Sequence, residues 1–109
     1  DVVIKLVRKQ DFLMKKEIQR IKITEKEASL VQAAHVYYYN YESLITVLAN
    51  TGNLTEELFE KIKNEYLKYA YDYTILRNAL VDKYAEQYNL KHYDSFEILY
   101  KEEEIIYYE

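Results

Sequence analysis

Apolar and aromatic residues recur along the middle of this chain at steps of three and four. Val31, Ala34, Tyr38, Tyr41, Ile45 and Leu48 follow that rhythm, and Leu30, Tyr37 and Leu44 widen the same side. A helix turns once in about 3.6 residues, so this spacing keeps the set on one face. The rhythm resumes through Phe59, Ile62, Tyr66, Tyr69, Tyr73, Leu76 and Leu80, with Tyr84 and Tyr88 closing it. Two long helices are predicted, over about 25–50 and 56–90.

The residues between and before these stretches agree. Thr24-Glu25-Lys26-Glu27 has the form of a capping box, in which the Thr24 hydroxyl accepts from the Glu27 amide and the Glu27 carboxylate reaches back to the Thr24 amide. Gly52 is the only glycine in the chain and follows Ala49-Asn50-Thr51, where a left-handed residue would end a helix. Thr55, with Glu56 and Glu57 behind it, is an N-cap with anions at the positive end of the next helix. A connection this short turns the helices antiparallel.

Outside the hairpin the period changes. Val2 to Val7 is short and rich in β-branched residues, which predicts a strand. Asp11 could cap a short helix carrying Phe12, Leu13, Met14 and Ile18; alternatively Glu17 to Ile23 is a strand, with Ile21 and Ile23 alternating with charged residues. The capping box at Thr24 marks a fresh start and favours the strand. After Leu90, Ser95–Tyr100 and Ile105–Tyr108 are rich in strand formers, with Lys101–Glu104 between them. The expected fold class is therefore α+β, mostly α: a single domain over 1–109 in which a helical hairpin (24–91) lies between a strand-containing N-terminal segment (1–23) and a C-terminal β segment (94–109).

Charge sharpens this arrangement. Residues 1–23 carry seven Lys/Arg against three Asp/Glu, and residues 94–109 one against six. Opposite charge on two strand-forming ends suggests that the ends pair in one small sheet packed on or beside the hairpin, although each cross-strand ion pair contributes only about 0.2–1 kcal/mol.

A second apolar stripe runs along each helix away from the seam: Val36, Tyr39 and Val47 on the first, Leu67, Tyr71 and Ile75 on the second. Two helices bury one stripe against each other, not two. The terminal sheet, a second copy of the chain or another protein must cover the remainder, because burying a large apolar side chain stabilises by roughly 1.5–3 kcal/mol. Tyr39, Leu67, Tyr71 and Ile75 are the candidate interface residues. Tyrosine suits a partly wet contact, since the ring buries area while the hydroxyl keeps a polar partner.

Composition narrows the chemistry. Fourteen of 109 residues are tyrosine; AT-rich coding is one source of that count but does not explain where the tyrosines sit. With no cysteine, disulfides and thiolate metal sites are excluded, and a cytoplasmic setting is favoured. No stretch approaches the roughly 20 apolar residues of a membrane span, and Val2–Val7 is too short for a signal-peptide core. The chain opens on Asp1, not Met, which points to a start that has been removed or left out. A net charge of −4 disfavours nucleic-acid binding.

His35 and His92 are the only histidines. Neither stands in the Glu-x-x-His spacing of a di-iron bundle, since Gln32 and Asn89 occupy the acidic position, and His-Glu-x-x-His is absent. His35, near Tyr39 and Glu42, reads as a partly exposed surface residue. Tyr37-Tyr38-Tyr39-Asn40-Tyr41 points to several sides of its helix and reads as packing plus interface, not as a catalytic patch. The sequence thus points to a non-enzymatic protein–protein interaction or assembly module, without cofactor or metal, that associates with itself or another subunit through tyrosine-lined faces. A small acidic regulator of a nucleic-acid-associated protein, acting through charge, is the alternative.

Overall fold

The computed structural model describes residues 15–109. Its elements follow as strand β1 (Glu17–Lys22), helix α1 (Glu25–Asn50), helix α2 (Glu56–Gln87), strand β2 (Ser95–Leu99) and strand β3 (Glu104–Tyr108). The strand predicted over Val2–Val7 and the short helix considered from Asp11 lie outside the described residues.

Both helix starts are built as their sequence implies. The Thr24 hydroxyl accepts from the Glu27 amide at 3.0 Å and the Glu27 carboxylate accepts from the Thr24 amide at 2.9 Å. The Thr55 hydroxyl accepts from the Leu58 amide at 3.1 Å. At the end of α1 the Asn53 amide donates to Leu48 and the Gly52 amide to Ala49, the paired bonds of a Schellman motif, with Gly52 at φ 72°. A Cβ at Gly52 would touch nothing within 4 Å, so the cost of a side chain there is conformational alone. Gly52→Ala is expected to lower stability by about 1 kcal/mol without changing the helical signal, as read by urea unfolding followed by circular dichroism.

Helix α2 ends at Gln87, three residues before the predicted end, because a second Schellman motif stops it. Leu90 donates to Ala85 and Asn89 to Glu86, with Asn89 at φ 56°. Asparagine is the side chain that most readily replaces glycine in the left-handed region.

The two chain ends form one antiparallel sheet in the order β1-β3-β2. Ile105 lies opposite both Ile21 and Ile98, and Tyr107 lies opposite Phe96. Charge plays a smaller part than its distribution suggests. Arg20 reaches Glu104 at 3.5 Å in an exposed contact, and Lys22 donates to the Glu102 carbonyl rather than to a carboxylate. An exposed pair of this kind contributes at most about 1 kcal/mol, so the backbone ladder and the fully buried Ile21, Ile105 and Tyr107 hold the sheet.

One face of the sheet lies on the base of the hairpin. Ala28 and Val31 from the first turns of α1, and Leu80, Val81, Tyr84 and Ala85 from the last turns of α2, share a core with Ile21, Ile23, Ile105 and Tyr107. Beyond that base the hairpin continues as a two-helix arm, and between residues 32 and 79 only Ile62 is buried.

Candidate functional site

A seam between only two helices can be covered from the sides by nothing but its own neighbours, so its residues stay partly wet. This explains the choice of tyrosine along the arm: a ring supplies contact area and the hydroxyl remains in water or finds a partner. The rings stack in two rows. His35, Tyr73, Tyr38 and Tyr66 form one row, with centroids 4.6 Å apart for His35–Tyr73, 5.7 Å for Tyr73–Tyr38 and 5.5 Å for Tyr38–Tyr66. Tyr69 stacks between Tyr37 at 5.5 Å and Tyr41 at 5.2 Å in the other. The Tyr66 hydroxyl, then burial, then the Glu42 carboxylate push Tyr38 up to about 12, so Tyr38 stays protonated through the physiological range.

His35 is partly exposed, as expected, but its ring is engaged on both sides. It is half-buried, its Nδ1 lies 3.2 Å from the Tyr100 hydroxyl, and its ring lies on Tyr73. Arg77 sits over Tyr73 and Phe96 at 5.2 and 5.6 Å. Burial, followed by Tyr73, pushes the Tyr100 hydroxyl up. These groups tie the turn after β2 to both helices where the arm leaves the base. His92 is exposed. Among the described residues no group of three or more His, Cys, Asp or Glu is placed to hold a metal ion, and no helix is long and apolar enough to cross a membrane.

All four candidate interface residues are exposed: Tyr39 by 61%, Leu67 by 51%, Tyr71 by 66% and Ile75 by 48%. Val36 and Val47, from the same stripes, are exposed too. The terminal sheet therefore does not cover the second stripes; it sits on the base, while the stripes run along the arm. Tyr37 and Leu44 emerge on the arm as well, so eight large apolar side chains lie there in water.

The fold brings two of the four candidates to one place. Glu42, Ile45, Phe59, Lys63, Tyr66 and Leu67 line a groove of about 310 Å³ between the helices. Tyr39 lines the adjoining hollow, which shares Glu42 and Thr46 with that groove. Tyr71 and Ile75 extend the line of Leu67 along α2, each turned a further 40° or so around the helix, and so leave the groove towards the outer side. Sequence reading missed Glu42 and Lys63 as parts of this site. Both carry ordinary surface charge, and only the relative phase of the two helices sets them on one groove.

No family model, curated protein or solved structure matches this chain.

Proposed function

We propose that this chain is a non-enzymatic assembly module of the cytoplasm that binds another protein subunit, in the first place a copy of itself, through the arm of its helical hairpin. The observation that carries this reading is the set of eight exposed apolar side chains on an arm that the sheet leaves bare. Each is about half exposed, so covering it stabilises by roughly 1 kcal/mol, half the value for full burial. Three of the eight, Tyr37, Tyr39 and Tyr71, are tyrosines, a residue type enriched in interface cores and hot spots. The base, with its own core, carries the arm and leaves it free to bind.

The charge-based alternative has less to draw on. In the acidic turn Glu104 pairs with Arg20, while the carbonyls of Glu102 and Glu103 accept from Lys22 and the Ile23 amide, so that segment serves the sheet.

Tyr71→Glu tests the assembly reading. Tyr71 is exposed and outside the core, so the helices should form as before while association weakens at least tenfold, because a charge must be desolvated at the contact. Unchanged association of a normally helical variant, measured by sedimentation equilibrium, would count against it.

A further inference from the structure

Between Ala28 and Asn50 the only Asp, Glu, Lys or Arg of α1 is Glu42. Glu42 stands about 20° around the helix from Val31, on the side where the sheet lies. On the other side Leu30, Ala33, Tyr37, Asn40, Leu44 and Val47 recur at alternating steps of three and four, the spacing of a coiled-coil seam. All six are exposed, and each is turned at least about 100° from Val31, away from the sheet. Uncharged, partly apolar surface of this kind is what an interface buries, because an unpaired charge is costly to desolvate.

We propose that a second copy of this chain packs back to back on the first, with the two α1 helices antiparallel and paired along this stripe about its midpoint between Tyr37 and Asn40. The proposal rests on the assembly reading above and gives it a geometry. In that pairing Leu30 faces Val47 of the other copy, Ala33 faces Leu44, and Tyr37 faces Asn40. A larger side chain thus meets a smaller one in every layer, so the layers interdigitate. The same half-turn, about an axis across the arm, sets α2 over α2. Tyr69 stands level with Tyr37 and Tyr41, so Lys68 of each copy comes level with Asp72 of the other, twice by symmetry. Asp72 lies about 180° around α2 from Val81, which meets the sheet. Lys68 and Asp72 are exposed and make no ion pair within the chain among the described residues. The two sheets stay on the outer faces at opposite ends, clear of the contact. Val47 and Ile75 close its two sides, and Val36 and Tyr71 form the rim beyond them. A half-turn about the long axis of the arm would instead lay the uncharged stripe on the charged back of α2. In the proposed arrangement every helix has antiparallel neighbours, so their dipoles oppose, as in an up-down-up-down four-helix bundle. Two helices about 10 Å wide over the roughly 39 Å of the 26-residue α1 present roughly 780 Å², close to the about 800 Å² per partner of a specific interface.

The test uses the absence of cysteine from the chain. Ala33→Cys and Leu44→Cys are made as separate proteins and oxidised in a glutathione buffer, alone and mixed. Both positions are exposed on the arm, and circular dichroism checks that the variants fold. Mixed, they should link into a disulfide-bonded heterodimer. Alone, each should stay unlinked, because the antiparallel register holds a position about 16 Å from its own copy, beyond the roughly 7 Å between Cα atoms that a disulfide spans. A second variant, Leu44→Glu, sets a charge into the uncharged stripe and should raise the dimer dissociation constant at least tenfold. If the unaltered chain dimerises but the mixed variants do not link, or each links with itself as readily, or Leu44→Glu dimerises as before, the geometry is wrong although the assembly reading stands. If the unaltered chain stays monomeric at high micromolar concentration, the proposed dimer and the self-association reading fail together.

Discussion

Replacing Tyr107 with alanine is expected to lower the unfolding free energy by about 3–5 kcal/mol, the range for removing a large buried aromatic side chain. Tyr107 is fully buried on β3, the central strand, and faces the hairpin. Its hydroxyl donates to the Val81 carbonyl of α2, and its ring meets Tyr93 edge-on at 4.9 Å. It therefore joins the sheet to the helices by packing and by a hydrogen bond together. A loss of this size takes a large share of the about 5–15 kcal/mol by which a domain is stable. Tyr107→Phe keeps the ring and is expected to cost only about 1 kcal/mol, because the Val81 carbonyl retains its helical partner. Urea unfolding followed by circular dichroism separates the two variants. A loss below 1 kcal/mol for the alanine variant would contradict the packing of the sheet on the base.

Glu27→Ala is expected to cost about 2 kcal/mol at neutral pH and to remove an acid-sensitive part of the stability. One carboxylate closes the capping box and accepts from Lys83 at 2.6 Å and from the Tyr84 hydroxyl at 2.6 Å. Partial burial opposes its ionisation, but the hydrogen bonds from Lys83, Tyr84 and Thr24 outweigh that and hold it at about 2. In the unfolded chain the same group titrates near about 4.3. The folded state thus binds fewer protons in between, and the contribution is complete above about pH 4.5 and lost as pH falls through about 2. Lys83 is more than half exposed, so solvent screens its share and the total stays below the value the full shift would imply. Stability measured from pH 6 to pH 2 should fall more steeply in the unaltered chain than in the variant. Parallel curves would show that Glu27 does not carry this linkage. Tyr84 has the opposite sign: Glu27, then burial, push it up to about 12, so its part persists below pH 10 and fades as pH rises through 12.

The hairpin was legible because its information is local. The three-four spacing from Val31 to Leu48 and from Phe59 to Leu80, the Thr24 and Thr55 caps and Gly52 each act within a turn or two of their own position. Pairing of the chain ends was legible through their opposite charge, although Ile21 against Ile105 does more of the holding than Arg20 against Glu104. The end of α2 was misplaced because apolar periodicity continues through Tyr88 and Leu90, and the left-handed Asn89 overrides it. Glu103, at φ 56° in the turn between β2 and β3, carries no turn signal at all, since glutamate is a poor residue for that conformation. The contact of His35 with Tyr100 was not legible because the two lie 65 positions apart, beyond any spacing rule. The exposed stripes of Tyr39, Leu67, Tyr71 and Ile75 were visible as a surplus of apolar faces; the groove charges were not, because they become neighbours only when two helices are set side by side.

Solution mass of the intact chain, by light scattering after size exclusion at low and at high salt, tests the role of the arm most directly. A largely apolar interface predicts about twice the chain mass of 13.2 kDa at both salt concentrations, since salt screens exposed charges but does not weaken apolar burial. A single-chain mass at both, at concentrations well above micromolar, would contradict self-association through the exposed stripes.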